Sequence, residues 1–218
     1  MVEATSSRTA IRDELVAFAQ THINAWESYA DKEFTSSDLG FNYVSRQTEH
    51  NGLTLTVSKA SIPGLTLDQH RTYRADIINQ VPKLDSKITM VQIPDVDGQT
   101  AIIQHIKMPM IFTNRSIVLI YYLIEHEDGS IEFIGSSKGT DGVAAAQAGI
   151  IKKNVIANNI INYSKLTPTE DGCDFIAVQC MDIGGSVPDA MKRKGAGIQA
   201  KSAMRMIHLV KTGAAPPA

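Results

Sequence analysis

The chain has 218 residues, a formal net charge of −2 and 43% hydrophobic residues. This length suits one domain with a sizeable core, and no linker rich in Pro, Gly or Ser divides it. The charge argues against nucleic acid as a partner, because neutralising phosphates requires a basic surplus. The sequence has no secretory signal and no run of about 20 apolar residues that would span a bilayer, so it predicts a cytosolic protein.

The predicted elements begin with an amphipathic helix over residues 8–30, where apolar residues recur at three- and four-residue steps. A hairpin follows, with strands Phe41–Thr48 and Leu53–Ile62 joined by Asn51-Gly52. A second helix is predicted over Thr66–Ile78, with Thr66 as its N-cap and Val81-Pro82 as the break after it. The rest of the pattern predicts a basic last helix within Pro188–Lys211 and the strands Ile88–Ile93, Thr100–Met108, Ser116–Glu127, Ile131–Ser137, Ile150–Leu166 and Cys173–Asp182.

The order of these elements indicates an α+β fold. Asp-Gly turns at 97–98, 128–129 and 171–172 join consecutive strands, which is typical of an antiparallel meander. Helices at both ends of the chain are then expected to pack on that sheet. Cys173 and Cys180 are seven apart on one strand and therefore point to opposite faces, so they cannot form a disulfide with each other.

One loop is unusual in composition. Met108, Pro109, Met110, Ile111 and Phe112 follow Lys107 between two strands, where polar turn residues are normal. Such a run, if exposed, indicates a surface that covers a cavity or meets a membrane or a partner. We refer to residues 107–114 as the apolar loop.

Three motifs, kept in order and spacing, resemble the START (steroidogenic acute regulatory protein-related lipid transfer) family. They are the apolar loop with Asn114-Arg115 and the long strand after it, the run Ala148–Lys152, and Gly184–Pro188 before the last helix. The resemblance covers roughly residues 8 to 211 and is nearest to the phosphatidylcholine-transfer branch. It implies a helix-grip fold, START/Bet v 1-like, in which a curved antiparallel sheet wraps around the long C-terminal helix and encloses a ligand tunnel.

The resemblance also implies which residues meet the ligand and the membrane. The predicted membrane contacts are Met110, Ile111 and Phe112 on the apolar loop and Lys192, Arg193 and Lys194 on the last helix. The predicted tunnel lining consists of Asp85, Ile102, Gln104, Ile106, Ile117, Leu119, Tyr121, Ala200, Met204 and Ile207.

Several positions depart from the family pattern. Leu84-Asp85 stands where members often carry Trp-Asp, and the positions of the headgroup cation and choline cage align with Val81, Gln104 and Ile117. The acid and Arg of the sterol-carrying branch align with Ile102 and Tyr121. The sequence therefore supports neither phosphatidylcholine nor cholesterol specifically, and a neutral or weakly polar lipid is expected, oriented by scattered polar groups such as Gln104, Tyr121, Asp85 or His105.

The predicted function is non-catalytic binding of one lipid and its transfer between membranes, by a monomeric, cytosolic domain over residues 1–211 with a disordered tail over 212–218. Contact with the membrane surface is expected to be transient, and neither a metal nor a cofactor is expected. Two alternatives stay open. One is an enzyme on a related helix-grip fold with His105 or Asp85 as acid or base, and the other is a ligand-gated module that docks a protein through the apolar loop.

Overall fold

The structure is a computed structural model, and it describes residues 7–29, 34–36, 40–109, 111–151 and 153–214. The side chains of residues 34–36 and 189–200 lie outside this description. Met110 is likewise outside it, as are the side chains of Lys192, Arg193, Lys194 and Ala200, so the predictions for these five residues stay predictions.

Six α-helices lie within the described residues, and local sequence explains where the first two begin. Ser7 caps the first helix by accepting a hydrogen bond from the Ala10 amide at 3.2 Å. Thr66 and Gln69 form a reciprocal capping box at the second. The helices are α1 (Arg8–Asn24), α2 (Leu67–Ala75), α3 (Ile77–Leu84), α4 (Asp141–Ala146), α5 (Ala148–Ile151) and α6 (Asp189–Thr212).

One sheet contains the ten strands of the described residues. Its order is β1-β2-β3-β10-β9-β7-β6-β5-β4, and β8 pairs in parallel with the start of β6 while every other pairing is antiparallel. The strands are β1 (Phe34–Ser36), β2 (Asn42–His50), β3 (Leu53–Pro63), β4 (Ile88–Val96), β5 (Gln99–Ile106), β6 (Arg115–Glu125), β7 (Ile131–Ser136), β8 (Val155–Ile156), β9 (Asn158–Pro168) and β10 (Gly172–Asp182).

The two faces of the sheet pack against different helices. On the outer face, α1 packs through Ile11, Leu15 and Ala19 against a buried cluster that includes Val178 and Cys180. The inner face carries α2, α3 and α6. Cys173 lies in the inner cluster, so the two cysteines are on opposite faces and both are free and buried, as their spacing predicts. The predicted α+β helix-grip architecture is confirmed.

Several boundaries differ from the prediction. The first helix, predicted over residues 8–30, ends at Asn24 and is followed by a short 3-10 helix over Trp26–Ser28. The break in the second helix comes at Asp76, between α2 and α3, and Pro82 lies inside α3. Because Pro82 is in the last turn, its missing N–H and its ring disturb only one carbonyl. Residues Ala148–Ile151 form the short helix α5 where a strand from Ile150 was predicted, and α6 continues through Thr212, one residue into the predicted tail. Residues 215–218 of that tail lie outside the described chain.

Candidate functional site

An apolar cluster on the inner face is the centre of the candidate site. The strands β4 to β7 contribute to it, and α3 covers it through Ile77. Four of the predicted tunnel residues, Ile102, Ile117, Leu119 and Tyr121, are buried members, and Ile106 packs against them. Gln104 is partly buried on the same face of β5, since side chains alternate along a strand. The other buried members are Met90, Phe133 and Ala157.

The last helix closes a neighbouring cluster on the same face. Ile207 is buried there and Met204 packs against it, so both predicted residues of α6 with described side chains face the sheet. The helix also buries Ala203, Met206, Leu209 and Val210.

The two candidate acid–base residues differ in where they lie. Asp85 ends α3, and its Oδ1 accepts a hydrogen bond from the Lys87 amide at 2.9 Å, which is a local turn interaction. His105 faces the outer side of β5, where its Nδ1 lies 2.8 Å from Ser116 Oγ and 3.4 Å from Asn154 Nδ2. The structure therefore does not bring His105 to the inner cluster.

Arg74 is a site residue that the sequence analysis missed. Its Nε donates to His70 Nε2 and its Nη2 to Ser164 Oγ, both at 3.1 Å. The guanidinium carbon lies 4.0 Å from the centre of the Phe133 ring, a cation–π contact. Within the described residues, no carboxylate forms an ion pair with Arg74.

The electrostatics of Arg74 are those of an enclosed cation. Burial lowers the pKa of its guanidinium, and the nearby phenols of Tyr73 and Tyr121 oppose that shift. The same burial raises the pKa of Tyr121. Part of the Arg74 surface nevertheless stays accessible. An accessible cation deep inside the protein and without an acidic partner is suited to an anionic group on a ligand.

The signal for Arg74 is present in the sequence at helical spacing. Leu67, His70, Arg74 and Ile77 follow one another at three- and four-residue steps, and Leu67, His70 and Ile77 pack inward or are buried. A charged residue within such a stripe is a candidate for function, because an inward-facing cation must be compensated.

Tyr121 reaches across the sheet over a glycine. A Cβ on Gly135 would lie 2.6 Å from Cε1 of Tyr121. The Tyr121 ring therefore occupies the space that the side chain of any other residue type at position 135 would fill. The ring also stacks at 5.0 Å from Phe133. Gly135 therefore sets the position of Tyr121 within the inner cluster.

The apolar loop exposes its apolar side chains where they are described. Ile111 is 84% exposed, and Phe112 is half-buried. Arg115, at the end of the loop, is only 3% exposed and donates to the carbonyl oxygens of Ile183 at 2.9 Å, Gly184 at 3.2 Å and Thr113. These bonds join the apolar loop to residues 183–188, which lead into α6 and which we call the Gly-Gly segment.

A separate pocket of about 360 Å³ lies beside α4 and α5. No predicted tunnel residue lines it. Residues Gly135–Gly139 match the pattern Gly-x-Ser-x-Gly, which surrounds the nucleophile of many serine hydrolases. Its central serine, Ser137, lies at the wall of the pocket, where its hydroxyl donates to Val118 O and accepts from the Asn159 amide. That hydroxyl is engaged with the backbone and has no histidine partner within the described residues, unlike a serine nucleophile.

The remaining side-chain groups give no metal site in the described part of the chain. No group of three His, Cys, Asp or Glu side chains there is arranged to hold an ion. Among the same residues, no helix has both the length and the apolar character needed to cross a bilayer.

Comparison with known proteins shows the fold. No family profile matches the sequence, and no curated protein matches it. The chain is similar to human STARD10 (13% identity over 88% of this chain and 78% of that one, TM-score 0.62) and to human StAR-related lipid transfer protein 5 (12%, 93% and 98%, 0.63). A STAR-related lipid transfer protein fragment from Xanthomonas axonopodis is 16% identical over 82% of this chain and 97% of that one, with a TM-score of 0.59. These matches single out no branch, so the likeness to the phosphatidylcholine-transfer branch stays a prediction, but the fold of this chain is that of the START domain proteins.

Proposed function

We propose that this protein binds one lipid between the inner face of its sheet and the helices α2, α3 and α6, and carries it between membranes without chemical change. The observation that supports this proposal most is an apolar wall beside a buried cation, Arg74, that has no carboxylate partner among the described residues. Ile102, Ile117 and Leu119 supply surface for acyl chains, and Arg74 lies beside the same cluster through its contact with Phe133. An amphipathic interior of this kind matches an amphipathic ligand.

Arg74 changes the expected ligand class. The position of the family's headgroup cation aligns with Val81, which is uncharged, and the sequence alone therefore favoured a neutral lipid. With Arg74 in the interior, a lipid bearing a phosphate or carboxylate is the better proposal, because the anion compensates the buried guanidinium. Gln104 and Ile117 still lack aromatic faces, so a choline headgroup is expected to gain little from those two positions.

Exchange with a membrane is proposed to occur at the apolar loop. An acyl chain contributes about 0.8 kcal/mol per buried CH2, so a long chain would leave for water far too slowly. The exposure of Ile111 supports its insertion into a bilayer, and Met110, Phe112, Lys192, Arg193 and Lys194 remain predicted membrane contacts. The cytosolic location and monomeric state remain predictions.

Native mass spectrometry after loading from detergent tests this proposal. The wild-type protein should form a one-to-one adduct with dioleoyl phosphatidic acid, and Arg74→Met should weaken that adduct about tenfold or more, which is the scale expected for losing a charge-assisted contact. Arg71→Met is the matched control, because Arg71 is on the same helix but pairs with Asp68 and Glu125 in solvent.

The outcomes separate two claims. If no lipid of any class forms a stoichiometric adduct, the carrier proposal is wrong. If lipid binds but Arg74→Met and Arg71→Met form the adduct equally well, lipid binding is supported and the proposed role of Arg74 is wrong. Turnover of a bound compound would favour the enzyme alternative, although His105 faces away from the inner cluster.

A further inference from the structure

A row of polar side chains crosses the inner face beside the apolar cluster. Thr56 on β3 pairs with Gln179 on β10, Gln179 pairs with Asn162 on β9, and Asn162 pairs with Gly135 on β7. Gly135 in turn pairs with Tyr121. Residues in register on adjacent strands share a face of the sheet, so this row runs from Tyr121 to Thr56. We call Thr56, Gln179 and Asn162 the polar row.

The face to which the polar row belongs follows from its neighbours. Leu55, Val57, Val178 and Cys180 flank Thr56 and Gln179 along their strands and belong to the outer cluster with α1. Because side chains alternate along a strand, Thr56 and Gln179 point to the opposite, inner face. Tyr121 at the other end of the row belongs to the inner apolar cluster, which agrees with this assignment.

The polar row is not satisfied by the protein itself. Gln179 Nε2 donates to Asn162 Oδ1 at 3.4 Å, a long bond. Gln179 Oε1 and Thr56 Oγ1 are both buried, and neither has a hydrogen-bond partner within the described residues. Thr56 as a whole is completely buried. Two adjacent orphaned groups are costly, since each forgoes the hydrogen bonds that it makes to water in the unfolded chain.

The surroundings of the row show that other hydroxyls on this face are paired. Tyr43 donates to Ser58 Oγ at 2.8 Å, and Ser58 donates to Ser45 Oγ at 3.1 Å. Ser58 lies two positions after Thr56 on the same face of β3. Among the described strand residues of the inner face, the buried side-chain groups without a partner are those of Thr56 and Gln179. Gln179 and Asn162 keep part of their surface accessible in the middle of the sheet.

We infer that Thr56 and Gln179 form a specificity site for a hydroxyl group on the bound lipid. The amide oxygen of Gln179 can only accept, whereas the threonine hydroxyl can donate. A ligand hydroxyl is the smallest group that satisfies both, by donating to Gln179 Oε1 and accepting from Thr56 Oγ1. An ether or ester oxygen at the same place can accept from Thr56 but leaves Gln179 Oε1 unpaired. This inference rests on the proposed lipid-binding function and adds a second polar contact to that of Arg74.

The test compares lipids that differ only in one hydroxyl. One pair is 1-oleoyl lysophosphatidic acid and its 2-O-methyl ether, which both keep a phosphate for Arg74, and the other is a free sterol and the methyl ether of the same sterol. Affinities of the full chain are measured by competition against a fluorescent fatty acid. We expect the wild type to prefer the hydroxyl form of at least one pair by about fivefold to tenfold, the scale of one satisfied hydrogen bond. The pair that shows the preference identifies the lipid class.

Two substitutions locate the preference. Thr56→Val and Gln179→Met keep the size of each side chain and remove its hydrogen-bonding group. Gln179→Met removes the acceptor that only the hydroxyl form can use, so it should bring the hydroxyl preference close to one without weakening the capped lipid. Thr56→Val removes the donor that both forms can use, so it should weaken both members of the preferred pair by a similar factor. The matched controls are Thr89→Val and Gln92→Met, both at exposed positions of β4. Thermal unfolding without lipid supplies an independent readout. Thr56→Val should unfold at an unchanged or higher temperature, because it removes an unpaired buried hydroxyl.

Each outcome has a distinct meaning. If both members of each pair bind equally to the wild type, the hydroxyl site is wrong while lipid binding stands. If Thr56→Val lowers the unfolding temperature and weakens neither member of either pair, a buried water satisfies Thr56 and the inference fails. If no lipid competes at all, the underlying carrier proposal fails instead.

Discussion

Arg115 donates a hydrogen bond from its Nε to the carbonyl oxygen of Ile183 at 2.9 Å, and this contact joins the apolar loop to the Gly-Gly segment before α6. The buried guanidinium also donates to the carbonyl oxygens of Gly184 and Thr113. It thus supplies the hydrogen-bond donor that each of these three backbone carbonyls needs. Opening the loop therefore requires breaking contacts that also hold the start of the last helix.

Arg115→Met should loosen this connection. The three carbonyls lose their donor, so we expect the free energy of unfolding to fall by about 2–4 kcal/mol. Lipid transfer between liposomes should become faster, because the loop opens more readily. Chemical denaturation and a fluorescence transfer assay measure the two effects. A destabilised variant that transfers lipid at the wild-type rate would show that this contact does not limit opening.

Ile111→Asp tests membrane insertion by the apolar loop. Because Ile111 is 84% exposed, the free energy of unfolding should change by less than about 0.5 kcal/mol. Transfer between liposomes should slow, since a charge must be desolvated for the loop to enter the bilayer. Leu123→Asp is the control, as Leu123 is 55% exposed at the far end of β6. Equal transfer rates for both variants would contradict membrane insertion and favour a role of the apolar loop in binding a protein.

Charge reversal of Lys192, Arg193 and Lys194 to Glu tests the basic end of α6. Each cation near an anionic surface contributes about 1 kcal/mol to binding, so vesicle binding by the variant should drop strongly at low salt. The difference from the wild type should shrink at high salt, where screening weakens the wild-type attraction. Flotation with anionic and neutral liposomes measures this, and an equal loss on neutral liposomes would contradict an electrostatic role.

His70 should make stability depend on pH. Burial and the neighbouring Arg74 lower the pKa of His70 well below its ordinary value of 6.5. Below pH 6.5 the folded state then binds fewer protons than the unfolded chain. The free energy of unfolding therefore falls as the pH is lowered below 6.5, by up to about 1.4 kcal/mol per pH unit. Above that pH His70 is neutral in both states and has no effect. His70→Gln keeps an acceptor for Arg74 and should flatten the slope between pH 6.5 and 5, measured by urea denaturation. An unchanged slope would refute the assignment.

Gly135→Ala should displace Tyr121. The added Cβ would lie 2.6 Å from the ring, which is held against Phe133, so the change should cost about 1–3 kcal/mol and weaken lipid adducts. Gly149→Ala is the control, because its Cβ would meet nothing within 4 Å. Calorimetry and native mass spectrometry report the two quantities, and similar behaviour of the two alanine variants would contradict the packing argument.

The sequence predicts those parts of the fold that local chemistry decides. Asn51 and Gly52 have φ angles of 50° and 76°, and Asp97 and Gly98 have the same two values, as hairpins with two central residues in the left-handed region require. Thr66 caps α2 for an equally local reason. The strand directions and the meander follow from these turns.

Features set by long-range contacts were not predictable. Alternation does not orient β5 or β6, because both strands bury apolar residues on both faces, and the family resemblance supplied the orientation of Ile117 and Tyr121. The helical spacing of Arg74 indicates that it faces inward, but its partners Ser164 and Phe133 become known only when α2 is placed on the sheet. The partners of Arg115 are backbone carbonyls, which no side chain in the sequence marks. The short helix α5 lies within a run whose Ile and Val content favours a strand.

The parallel pairing of β8 with β6 has a consequence for the order of assembly. Only Arg115 and Ser116 pair with Val155 and Ile156, through bonds such as Val155 N to Asn114 O at 2.9 Å. This small patch closes a long stretch of chain, whereas each hairpin of the meander closes a short one, so loop-closure entropy makes the patch form late and open early. We therefore expect the pairing of β8 with the start of β6 to open before the antiparallel strands lose their register.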